Sequence, residues 1–143
     1  MQLPRPVYRI AWAGHRLLDR VSGGRLGRHF GKTPVLWLTT VGRRTGTVRT
    51  NALLFLEHGD AWVVAATNAA SEREPAWLAN VLAHPDTEAR WGTERRLVHA
   101  RRAEPHEERY LWPALDEIYP AYRTYRQQLM RAVPLIVLER REP

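Results

Sequence analysis

Between Val35 and Thr67 the chain holds three runs of β-forming residues, about 35–40, 47–57 and 61–67, separated by no more than a turn. Gly42 and Gly46 bracket the first reversal, and His58-Gly59-Asp60 makes the second. Parallel neighbours need a crossover of roughly a dozen residues or more, so runs this close can pair only antiparallel. The pattern returns at 87–91 and 94–103, reversed at Gly92-Thr93, and a last run covers 133–138. Six short antiparallel strands with helices inserted in two connections predict a mainly β, α+β fold built as a small, partly open barrel.

The inserted helices announce themselves through proline. One starts near Pro75 and stops before His84-Pro85, because proline suits the first helical position and a later proline forbids continuation. Two more, about 105–112 and 120–131, are expected to break apart at Pro113. Ahead of the barrel, Val7, Ile10, Gly14, Leu17, Leu18 and Val21 recur at helical spacing while Arg9, Arg16 and Arg20 fall elsewhere. Ser22-Gly23-Gly24 ends that amphipathic helix. A helix of this kind suits peripheral contact with an anionic membrane as well as packing on its own domain. The expected organisation is therefore residues 1–34, helix and basic connection, followed by one barrel domain over 35–143.

Composition removes several function classes. With no cysteine, disulfides, thiolate metal sites and a cysteine nucleophile are excluded. The six histidines show no pair at ligand-like helical spacing, which argues against a metal. Neither GxGxxG, a Walker loop nor a Gly-x-Ser-x-Gly elbow occurs. An enzyme built from these residues would take its chemistry from a cofactor. The absence of a long apolar run or signal-peptide pattern predicts a cytoplasmic chain, peripheral to the membrane at most. The net charge of +7 predicts an anionic partner.

Three clusters carry the candidate chemistry. The first is the hairpin Thr39 to Asn51, where Arg43, Arg44 and Arg49 crowd one turn. Guanidinium pairs with phosphate or carboxylate through two parallel hydrogen bonds, though the same residues also suit a merely solvated turn. The second is Ala65-Ala66-Thr67-Asn68-Ala69-Ala70-Ser71, small residues that bring backbone N–H groups beside a helix start, or an ordinary loop. Trp77 follows, as a core anchor or as the wall of a pocket for a flat ring. The third is Tyr119, Tyr122 and Tyr125, which share one face of a helix opened by Pro120. They suit an aromatic substrate, or simply a cover for the barrel.

In this order and spacing the clusters resemble the deazaflavin-dependent nitroreductase family. The resemblance runs from about Val35 to Leu138 and rests on Leu38 to Gly46, Arg49-Thr50-Asn51, Ala65-Ala66-Thr67, Pro75-Ala76-Trp77, Tyr119 to Tyr122 and Val133 to Val137. It implies a split β-barrel, FMN-binding-like, that binds coenzyme F420, an 8-hydroxy-5-deazaflavin with a phosphate and an oligoglutamate tail. By the same resemblance Arg43, Arg44 and Thr45, with Arg49 and Asn51 close by, hold the phosphate and tail. Ala65, Ala66, Thr67 and Asn68 lie along the deazaflavin, Trp77 lines the pocket, and Tyr119, Tyr122 and Tyr125 stand near the acceptor. The chain departs from the pattern where Asn68-Ala69-Ala70 replaces a basic residue and glycines, a loss that Arg73 is a candidate to offset, and where Leu54 replaces an aromatic residue of some members.

The implied activity is hydride transfer from the reduced deazaflavin to a small hydrophobic acceptor, a quinone, enone or nitroaromatic compound. Such a protein would be a monomer or a homodimer. The competing readings are a non-catalytic carrier of the same cofactor and a related barrel that binds FMN. A nucleic-acid module ranks last, because the arginines follow no recognition motif.

Overall fold

The computed structural model describes residues 29–30 and 33–143. Its elements are β1 (His29–Phe30), β2 (Thr33–Val41), β3 (Val48–His58), β4 (Ala61–Ala65), a 3-10 turn (Asn68–Ala70), α1 (Ala76–Ala83), β5 (Asp86–Trp91), β6 (Glu94–Arg102), α2 (Pro105–Ile118), α3 (Ala121–Gln128) and β7 (Leu135–Arg140). The hairpins between β2 and β3, β3 and β4, and β5 and β6 each turn on a glycine of positive φ: Gly46 at 71°, Gly59 at 58° and Gly92 at 62°. Glycine reaches that region without a Cβ clash.

The sheet runs β1-β2-β3-β4-β7-β6-β5, antiparallel throughout, and β5 returns to β2 through Trp37↔Arg90 and Leu38↔Ala89. Strands β2 to β7 thereby close a six-stranded split barrel. The seam is short beside the β2–β3 ladder, which runs from Val35↔Leu54 to Val41↔Val48. The Thr87 hydroxyl extends it by donating to the Thr39 carbonyl at 2.6 Å.

Period-two alternation sorts the strand residues into two layers. Leu36, Leu38, Phe55, Trp62, Val64, Ala89, Val98, Ala100, Ile136 and Leu138 fill the barrel, together with Trp77, Leu78 and Val81 of α1. Val35, Leu54, Val63, Ala65, Leu135 and Val137 point outward, against Leu111 and Leu115 of α2 and Tyr122 and Tyr125 of α3. Burying a side chain such as Phe55 or Leu111 stabilises by about 1.5–3 kcal/mol, so both layers hold the fold.

Three expectations change. Helix α2 does not break at Pro113 but runs through it to Ile118. Pro113 is exposed, so the carbonyl that loses its partner faces water, while Leu111 and Leu115 bury the opposite face. A reciprocal capping box between Glu104 and Glu107 secures the start. The break falls instead at Tyr119, whose φ of −140° and ψ of 90° suit a residue before proline. Helix α3 stops at Gln128, because Leu129 turns extended and buries its side chain. Strand β7 starts at Leu135, after Pro134, whose carbonyl accepts the Ala66 N–H at 3.0 Å. The expected N-terminal helix, and any membrane contact through it, lies outside the described residues. Among those residues no helix is long and apolar enough to cross a membrane.

Candidate functional site

The β2–β3 hairpin carries the basic cluster on an exposed tip. Its backbone closes through Gly42 N–H to the Thr47 carbonyl and Gly46 N–H to the Gly42 carbonyl, both at 2.8 Å. A Cβ on Gly42 would stand 2.7 Å from the Thr45 hydroxyl, so any larger residue there would have to displace that side chain. The Thr45 hydroxyl stays within the turn, donating to the Thr47 hydroxyl at 3.0 Å and accepting the Thr47 N–H at 3.2 Å. At its base Asn51 donates to the buried Thr40 hydroxyl at 3.3 Å.

The three arginines divide. Arg43 turns toward α1, where its backbone N–H and its Nη1 both donate to Asn80 Oδ1, at 3.1 and 2.8 Å. Asn80 is only 6 % exposed, so this amide is a fixed anchor. Arg44 and Arg49 are exposed, and neither guanidinium bonds to another described residue. The tip thus holds one tethered and two open guanidiniums.

The segment after β4 takes a shape its composition does not advertise. Thr67 is right-handed helical, at φ −82° and ψ −30°. Asn68, Ala69 and Ala70 then follow at φ 46°, 50° and 63°. A left-handed residue with a Cβ costs roughly 1–2 kcal/mol, less for asparagine, so something must hold this run. Inside it, Ala70 N–H donates to the Thr67 carbonyl at 3.2 Å and Ser71 N–H to the Asn68 carbonyl at 3.0 Å. The Asn68 amide reaches the Arg73 carbonyl at 2.8 Å.

From across the molecule comes Arg131, which the sequence reading did not single out. Its Nε donates to the Ser71 carbonyl at 3.0 Å, its Nη1 to Ala66 at 3.2 Å and its Nη2 to Thr67 at 2.9 Å. Glu72 answers by accepting the Met130 N–H at 2.9 Å. The N–H groups of Asn68 and Ala69 meet no acceptor among the described residues. A right-handed residue followed by a left-handed one turns successive N–H groups into an anion-binding concavity. No local signal marks Arg131, since these three partners lie about sixty residues away.

The tyrosines form a ring cluster on the outer layer. Tyr119 and Tyr122 meet edge to face at 5.0 Å, and the Tyr119 and Tyr125 hydroxyls lie 3.2 Å apart. Tyr122 and Tyr125 are 4 % and 5 % exposed, and Ala70 of the turn packs against the same layer. Leu54 is a further member. Trp77 belongs elsewhere, in the barrel interior beside Leu78 and Val81. Ala65 and Ala66, consecutive residues, face these two layers in turn. The structure therefore joins the turn to the tyrosines and leaves Trp77 behind the barrel wall.

The model of the family described as F420H(2)-dependent quinone reductase matches residues 14–140. An F420H(2)-dependent quinone reductase of Mycobacterium tuberculosis (strain ATCC 25618 / H37Rv) is 34 % identical over 131 residues, covering 89 % of this chain and 88 % of that protein. A solved F420-H2 dependent reductase (FDR-A) superposes with a TM-score of 0.69 at 27 % identity, over 74 % of this chain and 94 % of its own. A structure described as a domain-swapped dimer reaches 0.71 at 26 % identity, over 94 % and 99 %.

Proposed function

Because this chain belongs to the F420H(2)-dependent quinone reductase family, and so is an F420-dependent oxidoreductase acting on quinone-type acceptors, we propose a division of labour among its residues. The two open arginines, Arg44 and Arg49, hold the anionic tail of the cofactor. Arg43 presents its remaining N–H groups from a position that Asn80 fixes. Thr45 and Asn51 keep the tip and its base in shape. The free N–H groups of Asn68 and Ala69 receive the phosphate region, and the observation that carries the reading is this left-handed turn with donors and no acceptor.

When bound, the reduced deazaflavin supplies a hydride, two electrons in one step. The chain's own part is placement. Ala65, Ala66, Thr67 and Asn68 admit a flat ring because their side chains are short, and Trp77 backs that wall from the barrel interior. Tyr119, Tyr122 and Tyr125 offer phenol O–H donors in a mostly apolar layer, where a hydrogen bond to an acceptor oxygen gaining negative charge counts for more than in water. The Tyr119–Tyr125 hydroxyl contact lets one phenol orient the other. A homodimer is proposed as well, on the strength of the related structure described as a domain-swapped dimer.

The test is direct. Purified protein should quench the fluorescence of the cofactor on binding, and should oxidise its reduced form when a menaquinone analogue is added. Absence of binding would end the assignment. Binding without turnover on any quinone would convert the protein into a carrier.

A further inference from the structure

Arg131 bonds only to carbonyl oxygens. Besides Ser71, Ala66 and Thr67 it donates to Ala132 at 3.3 Å, and no acidic side chain pairs with it among the described residues. Two other partly buried arginines behave differently: Arg101 pairs with Glu107 at 2.7 Å, and Arg126 with Asp116 at 2.7 Å. Glu72 reaches the strap between α3 and β7 (residues 129–134) that carries Arg131, and bonds there to the Met130 N–H. Carbonyl dipoles orient a guanidinium without cancelling its charge, so the segment 66–71 has a net positive charge seated against it.

We infer that Arg131 is a positioning residue for anion binding at the Asn68–Ala70 turn. By gathering the carbonyls of Ala66, Thr67 and Ser71 on one guanidinium it fixes the backbone on both sides of the turn, where the Asn68 and Ala69 N–H groups are left as free donors. Its unneutralised charge adds to the pull on an anion held there. A planar fork satisfies carbonyls that lie in three directions, which a single ammonium does not reproduce. The role rests on the proposed assignment of this turn to the phosphate region of the cofactor.

The experiment compares wild type, Arg131→Gln and Arg131→Lys by fluorescence titration with two probes, intact oxidised F420 and a deazaflavin lacking the phosphate and tail. Thermal melting of each variant runs alongside. Arg131→Gln is expected to weaken intact F420 about tenfold or more, as loss of a charge-assisted contact does, while the tail-less ring changes less than about threefold. Arg131→Lys, which keeps charge but loses the fork, should fall between. Equal losses for both probes, or no loss with intact F420, overturn the role. If Arg131→Gln does not fold, Arg131→Lys decides by the same two-probe difference. Wild type that binds neither probe takes down the functional assignment and this role together. Wild type that binds while both variants match it takes down this role alone.

Discussion

The hairpin tip and the turn after β4 are both proposed to face the same anion, yet they are built in opposite ways. The tip is held by its own sequence: Gly42 allows a close approach, Gly46 takes φ 71°, and the bonds that close it span only a few residues. Two of its three cations, Arg44 and Arg49, hang outward on a frame whose closing bonds are local. The turn has no glycine and takes three left-handed residues regardless, held by Arg131 from a strap far along the chain. One segment carries its charge on its own side chains. The other borrows charge and shape from elsewhere. A locally encoded site tolerates change in the surrounding fold, whereas a site held by tertiary bonds shares the fate of the layer that holds it.

The sharpest way to break this comparison is at Ala69, φ 50° and ψ 46°. Ala69→Val puts a β-branched side chain in the left-handed region, and should cost about 2 kcal/mol in chemical denaturation and most of the cofactor affinity. Ala69→Gly should instead stabilise, by about 0.5–1 kcal/mol, because glycine removes the strain. If valine is tolerated, the turn is not under strain and the contrast fails. Next in size is the double change Arg44→Ala/Arg49→Ala, expected to weaken the cofactor by about tenfold or more with saturated turnover within about threefold and Tm unchanged, since both side chains are free. A large fall in turnover at unchanged affinity would assign these arginines a different task.

Asn80→Ala should then show that even the tip has one tertiary tether. Removing the amide leaves Arg43 without its partner and should cost about 1 kcal/mol in stability, with a smaller loss of affinity than the double arginine change. Equal Tm for Asn80→Ala and wild type would mean the tether carries nothing. The smallest effect is a matter of pH. Hydrogen bonds from Arg101, then from the Glu104 N–H, lower the Glu107 carboxyl to a pKa of about 2 from its usual 4.5. A lowered folded pKa stabilises above the unfolded value, so this contribution is intact above about 4.5 and disappears as pH falls toward about 2. Glu107→Gln should flatten the acid limb of Tm against pH in that window, and it should do so through α2 and the outer layer, leaving the tip unaffected. An identical acid limb in the variant would remove Glu107 from the account.

Much of the barrel was readable from residues in short stretches. The centres of the six expected strands, the three glycine reversals and the helix between Pro75 and Pro85 lie where local pattern puts them, because backbone geometry within a hairpin or a helix turn depends on neighbours in sequence. By contrast, β4 ends at Ala65, β7 starts at Leu135 and β1 was not foreseen. Proline was a less faithful guide. Pro113 reads as a breaker, but whether a proline stops a helix depends on which face it occupies, and that face is chosen by packing against β3 and β4. The candidate site was legible to the same degree. Arg43, Arg44 and Arg49 stand out as a cluster, but that Arg43 is tethered and the other two open depends on Asn80 arriving from α1. Tyr122 and Tyr125 were readable as a helix face, while the place of Tyr119 at the extended break before α3, the sharing of one layer with Ala70 and the separation from Trp77 were not.

By itself, then, the sequence determined the antiparallel strand order within each hairpin, the places where the chain reverses and the residue types available to hold an anion, since each depends on φ preferences and period-two alternation among close neighbours. The tertiary structure alone decided which arginines remain open, which wall each aromatic residue joins and how Asn68-Ala69-Ala70 came to be left-handed. Those outcomes depend on contacts between residues dozens of positions apart, and on Arg131 most of all, which lies about sixty residues from the Ala66, Thr67 and Ser71 carbonyls it gathers.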